Sequence, residues 1–239
     1  MATSGTTDFS VNQETIIKRA LRLIGVLAQG EEPTTDQHDD AASALNGLVK
    51  AWQADGMPLW AMKTYEITMV TGVGEYIIGV GQTVNTPKPL RIVQGINRNN
   101  NTPTIDIPMR ILTQQEYLML GNKTTQGMPI QLYYQPLLDT GRLSLFPTPD
   151  ATTAAQNKLV IIYQAPFEDF DADVDTPDFP QEWYDAIIFG LACRLAPEYG
   201  LPSDQRQALR AEAKEIKDAA LSMGTEEGSL YFQRDYRSW

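Results

Sequence analysis

The sequence predicts an α+β protein: a four-helix bundle formed by N- and C-terminal helical pairs, with an inserted antiparallel β-sandwich or barrel domain and an extended C-terminal tail. Three observations predict it. Apolar residues recur at steps of three and four near both ends of the chain. Between about residues 64 and 164 the period drops to two, in short β-branched runs. From residue 225 onward there is no helical period, although aromatics are dense. The expected boundaries are 1–62 and 176–224 for the bundle, 63–175 for the β domain and 225–239 for the tail.

The first helix is expected in "SVNQETIIKRALRLIGVLAQGEEP", where Ile17, Ala20, Leu21, Ile24 and Leu27 form one stripe. Ser10 and Gln13 stand at capping-box spacing, with Asn12 as the alternative cap. Pro33 closes the connection, and Thr35 or Asp36 opens the second helix. There Ala41, Leu45, Leu48, Val49 and Trp52 share a face, and Gly56 suits the left-handed residue after a helix end. Asp36, Asp39 and Asp40 favour the positive end of that helix.

Strand-like runs follow: "TYEITMV", "EYIIGV", "LRIVQGIN", "TIDIPMR", "PIQLYYQ", "GRLSLFP" and "KLVIIYQ", separated by Gly, Pro or Asn clusters. A short helix, "TQQEYLML", interrupts them, with Thr113 and Glu116 as a capping box and Gly121 as its stop. Pro180 then begins a helix in which Trp183, Ile187, Leu191 and Leu195 make a stripe, flanked by Tyr184, Ile188 and Ala192, before Pro197 ends it. Ser203 starts the last helix, with Leu209, Ala213, Ile216, Ala220 and Met223 in register and Gly224 as its stop.

Composition narrows the function classes. Lys and Arg number 19 against 30 Asp and Glu, a net charge of −11, so a protein gripping a phosphate backbone by counterion release is disfavoured. No apolar run is long enough to cross a bilayer, and "MATSGTTDFS" has neither the basic nor the apolar segment of a secretory signal. One cysteine permits no internal disulfide.

Candidate chemistry is sparse, and the expectation is a protein that is not an enzyme and holds no cofactor. Nucleophilic catalysis needs a partnered Ser, Cys or Lys and usually a His. His38, the one histidine, is expected to be exposed at the start of a helix, and Cys193 to be a small packed hydrophobe. "TGVGEYIIGVG" resembles a phosphate cradle, but a strand follows where a dinucleotide site needs a helix, so a hairpin turn through Gly72–Gly74 is expected. Asp171, Asp173, Asp175 and Glu182 have the alternation of a calcium loop, with Glu182 at its twelfth position. Thr176 occupies the sixth position, where the sharp turn needs glycine, so these four are weak metal candidates and an acidic connector is the expected role. Trp52, Trp60 and Trp183 read as core or subunit-interface anchors. The tail carries Leu230, Tyr231, Phe232, Arg234, Tyr236, Arg237 and Trp239; its Tyr, Trp and Arg are the types that dominate interface hot spots, and it is expected to bind a partner, with folding back onto its own domain as the alternative.

"FPQEWYDAIIFGLACRLAPEYGL" resembles a segment of phage head-to-tail adaptors, the tail accessory or packaged-DNA stabilisation proteins that dock beneath the portal. Its signature residues are Phe179, Pro180, Trp183, Leu195, Ala196, Pro197 and Tyr199. "IIKRALRLIGVLAQGEEPTTDQHDDAASALNGLVKAWQADGMPLW" resembles the first helical pair of the same family, and the two stretches cover under half of the chain. The resemblance implies a dodecameric ring in the virion neck, assembled in the host cytoplasm. Its partners would be the portal protein, the tail nozzle or tail tube protein and other copies of itself, with packaged DNA passing through the lumen and no membrane involved. It implies that residues 225–239 reach the portal. A carbohydrate-binding or hydrolytic phage tail protein is the alternative reading, and a calcium-stabilised structural module a further one.

Overall fold

The computed structural model describes residues 9–55, 61–101 and 104–223. The chain divides into two compact units, one from the stretches up to Val49 and from Asp169 onward, the other from Lys50–Glu168. Mixed α+β architecture follows, with six α-helices and one curled seven-stranded sheet among the described residues.

In the helical unit, α1 (Gln13–Leu23) starts at Asn12, whose side-chain oxygen accepts from the Thr15 amide at 3.0 Å; the cap is therefore Asn12, not Ser10. The helix stops earlier than its apolar stripe. Gly25 takes φ +73°, its amide donates to the Arg22 carbonyl at 3.0 Å, and the Val26 amide reaches the Leu21 carbonyl at 3.0 Å. These two bonds satisfy carbonyls that the helix leaves open, and Ile24 and Leu27 stay buried beyond the helix end. The second helix, α2 (Thr35–Asp55), is capped one residue before the expected start. Thr34 Oγ1 accepts from the Gln37 amide while Gln37 Oε1 accepts from the Thr34 amide, a reciprocal box over 34–37. Its Ala41, Leu45, Leu48 and Val49 are buried; Trp52 is half-buried, and Trp60 and Gly56 lie outside the described residues.

A 3-10 turn, Gln181–Trp183, leads into α5 (Tyr184–Leu195), so Pro180 precedes that turn and does not sit inside the helix. Trp183, Ile187, Leu191 and Leu195 are all buried, and both α1 and α6 (Ser203–Met223) pack on α5. Along α6 only Ala220 is fully buried, while Leu209, Ala213 and Ile216 are half-buried.

The other unit holds nine strands among the described residues: β1 (Met62–Thr68), β2 (Glu75–Ile78), β3 (Arg91–Asn99), β4 (Ile105–Leu112), β5 (Gln126–Gly127), β6 (Gln131–Pro136), β7 (Gly141–Phe146), β8 (Thr148–Pro149) and β9 (Asn157–Gln164). The order in the large sheet is β1-β9-β3-β4-β6-β7-β2, with β5 and β8 forming a small parallel pair. Its core is one cluster that includes Ile67, Tyr76, Ile78, Leu132, Leu143, Leu159 and Ile161.

Three expectations for the sheet of this unit are corrected. Of the two expected forms, sandwich or barrel, the sheet takes the second in part: it is a single curled layer, a half-barrel, and not a two-sheet sandwich. It is not wholly antiparallel, because β4 and β6 run parallel. Parallel neighbours need a crossover, and α3 (Gln114–Met119), closed by the Thr113–Glu116 box, lies in that connection. Gly121 does not terminate α3 in a left-handed conformation; Leu120 ends it in extended backbone. Third, Gly72–Gly74 is no hairpin turn. β1 pairs with β9 and β2 with β7, so the turn joins the two ends of the sheet order. A helix without a strong apolar stripe, α4 (Ala151–Gln156), also escapes the sequence reading; Asp150 caps it by accepting from the Thr153 amide at 2.7 Å.

Candidate interaction surfaces of the helical unit

The acidic connector before α5 is built by backbone bonding. Asp175 Oδ2 accepts from the Asp171 and Ala172 amides at 2.9 and 2.8 Å, so this carboxylate closes a local turn. Upstream, Asn46 of α2 brackets Phe170, accepting from its amide at 2.9 Å and donating to its carbonyl at 3.0 Å. The first turn of α1 needs acceptors for its free amides, and the connector supplies them. Gln13 donates to the Asp175 carbonyl at 2.9 Å and Glu14 to the Asp173 carbonyl at 3.3 Å.

This use of the connector bears on the four metal candidates. Among the described residues no group of three or more His, Cys, Asp and Glu side chains converges to hold a metal ion. Asp175 turns inward to its own loop, and Asp173 faces His38 instead of Asp171.

His38 departs from its expected exposure. Its ring is only 18% exposed, with Nε2 3.3 Å from Asp173 Oδ1 and Nδ1 3.9 Å from Asp39 Oδ1. The ring lines a concavity of about 340 Å³ together with Glu14, Glu32, Pro33, Thr35, Asp39 and Asp173. Lys18 crosses the same region, bonded to Glu14 at 2.7 Å and paired with Glu32. The Lys18 ammonium holds the Glu14 carboxyl below its ordinary range, and Glu14 in turn raises Lys18.

Cys193 is half-buried, and burial pushes its thiol up despite the nearby Arg210 guanidinium. A raised thiol is less thiolate at neutral pH, the reverse of an activated nucleophile. Gly47 of α2 lies against Arg194, whose guanidinium would stand 2.8 Å from a Cβ at that position, so α2 approaches α5 at a residue with no side chain.

On the outer side of α1 and α5 lies a groove of about 350 Å³, lined by Arg19, Arg22, Leu23, Asp185, Ile188 and Phe189. Leu23 is 44% exposed. Neither arginine meets a carboxylate partner within salt-bridge distance among the described residues. Sequence reasoning missed this surface. Its only signal was the i,i+3 spacing of Arg19 and Arg22, off the buried stripe of the first helix. The tail positions Leu230, Tyr231, Phe232, Arg234, Tyr236, Arg237 and Trp239 lie outside the described residues.

The helical unit buries the apolar stripe of α5 and leaves open a groove lined by Arg19, Arg22, Leu23, Asp185, Ile188 and Phe189. The chain's family follows from a match over residues 12–233 to the SU10 adaptor protein model, and the chain belongs to this family of phage head-to-tail adaptors. It is thus a structural adaptor of a phage particle, and membership of the family implies the virion neck and interaction with portal and tail components. No curated protein matches the chain. No helix among the described residues is long and apolar enough to cross a membrane.

Proposed function

We propose that this adaptor assembles as a dodecameric ring beneath the portal, joins it to the tail nozzle and helps retain packaged DNA, without catalytic turnover. The family match carries this reading, because it extends over both helical ends and the β unit between them. The net charge of −11 suits a ring through which DNA slides without sticking.

We further infer that α1, α2, α5 and α6 form one four-helix bundle. Packing of α1 and α6 on α5 supports it, as does the Gly47–Arg194 approach of α2. Residues 225–239 clasp the portal through Tyr231, Phe232, Tyr236 and Trp239, with Arg234 and Arg237 between them. Deleting 225–239 tests the assignment. The truncated chain should keep its circular dichroism spectrum and melting temperature yet fail to join portal-containing particles, as read by co-sedimentation. Normal incorporation of the truncated chain refutes the role of the tail.

A further inference from the structure

We propose that adjacent copies of this chain join by inserting the acidic connector of one, with Val174 at its tip, into the groove between α1 and α5 of the next. This rests on the ring reading above and names the contact that builds the ring.

The groove calls for a specific occupant. Its floor is apolar, from Leu23, Ile188 and Phe189, and its rim carries two arginines against the single carboxylate of Asp185. An apolar side chain flanked by acids satisfies both. The connector presents one: Val174 is 77% exposed, directly after Asp173, whose carboxylate is 65% exposed, and three residues after the exposed Asp171. Val174 is among the most exposed large apolar side chains of the described residues. Here the tip is fixed in that position by the Asp175 turn and by the two backbone bonds to α1.

Those same bonds prevent the connector from filling its own groove. They tether it to Gln13 and Glu14, in the first turn of α1, whereas Arg22 lies two turns further along, roughly 12 Å at 1.5 Å per residue. Knob and socket therefore belong to different copies. A contact between unlike surfaces on identical chains is heterologous, the kind of contact that builds a ring when its rotation closes.

The test uses the full chain and two surface variants, Val174→Asp for the knob and Arg19→Glu/Arg22→Glu for the socket, with particle mass read by native mass spectrometry. Wild type should assemble, and each variant alone should dissociate at concentrations at least about tenfold higher than wild type does. Mixed in equal amounts, the two variants retain one intact knob and one intact socket between them, so they should form dimers and stop there. Disulfide-linked ladders from a Val174→Cys/Leu23→Cys chain under mild oxidation give a second readout that needs no charge reversal. Variants that assemble like wild type, a mixture that stays monomeric, or an absence of ladders overturns the contact while leaving the ring in place. A wild-type chain that stays monomeric even with its portal overturns the ring reading and this contact with it.

Discussion

Asn97 offers the sharpest test of how the β unit is held together. It lies on β3 with no solvent exposure. Its Nδ2 donates to the Pro129 carbonyl at 3.0 Å, and its Oδ1 accepts from Asn157 Nδ2 at 2.7 Å. An Asn97→Leu substitution keeps the branching of the side chain but strands the Pro129 carbonyl and the Asn157 amide. A buried polar group without a partner costs about 1–3 kcal/mol, so two of them give about 2–6 kcal/mol of destabilisation. The double variant Asn97→Leu/Asn157→Leu strands only the carbonyl. It should cost less than the two single variants added together, with a coupling of about 1–2 kcal/mol. Native-state hydrogen exchange of the β3 and β9 amides isolates this unit from the helical one. A single variant costing under about 0.5 kcal/mol, or singles that simply add, would refute the reasoning, because neither outcome fits a closed polar network.

Other consequences are more local. Gly25→Ala forces an L-residue to φ +73° at the end of α1, with no steric contact to complicate it, and should lower stability by about 1 kcal/mol in urea unfolding. Cys193 should react with iodoacetamide more slowly than free cysteine at pH 8, since burial keeps its thiol protonated; a rate equal to the free amino acid contradicts that placement. Burial pushes the Tyr134 hydroxyl up to about 12, and it donates to the Pro89 carbonyl at 2.5 Å. The folded state therefore holds this proton more tightly than the unfolded chain, whose value is near 10. Its stabilisation is complete below pH 10 and is lost as pH rises from there through about 12. Absorbance at 295 nm should show a late-titrating tyrosine that disappears in Tyr134→Phe.

Local signals were read well where one element carries both cause and effect. The Thr113–Glu116 box needs only residues within a single turn, and it forms. So does the burial of Trp183, Ile187, Leu191 and Leu195, because a stripe at helical spacing can be buried by whatever packs on it. Helix ends were less legible. Asn12, Thr34 and Gly25 each compete with plausible neighbours, and the backbone conformation that selects among them is not a property of one residue type.

What the sequence determined by itself was the succession of periods: helical, then strand-like, then helical, together with a charge that disfavours a nucleic-acid grip. What tertiary structure decided was every relation between distant residues. Strand order and the parallel β4–β6 pair depend on which edges meet, and alternation along one strand is silent on its neighbour. The same holds for Asn97, the last residue of the strand-like run "LRIVQGIN", which is buried where Asn157 and Pro129 arrive from elsewhere. It holds as well for the arginine-rimmed groove, whose two walls, α1 and α5, lie far apart along the chain. Periodicity reports which face of an element avoids water; only the folded chain fixes what covers that face and which surfaces remain open.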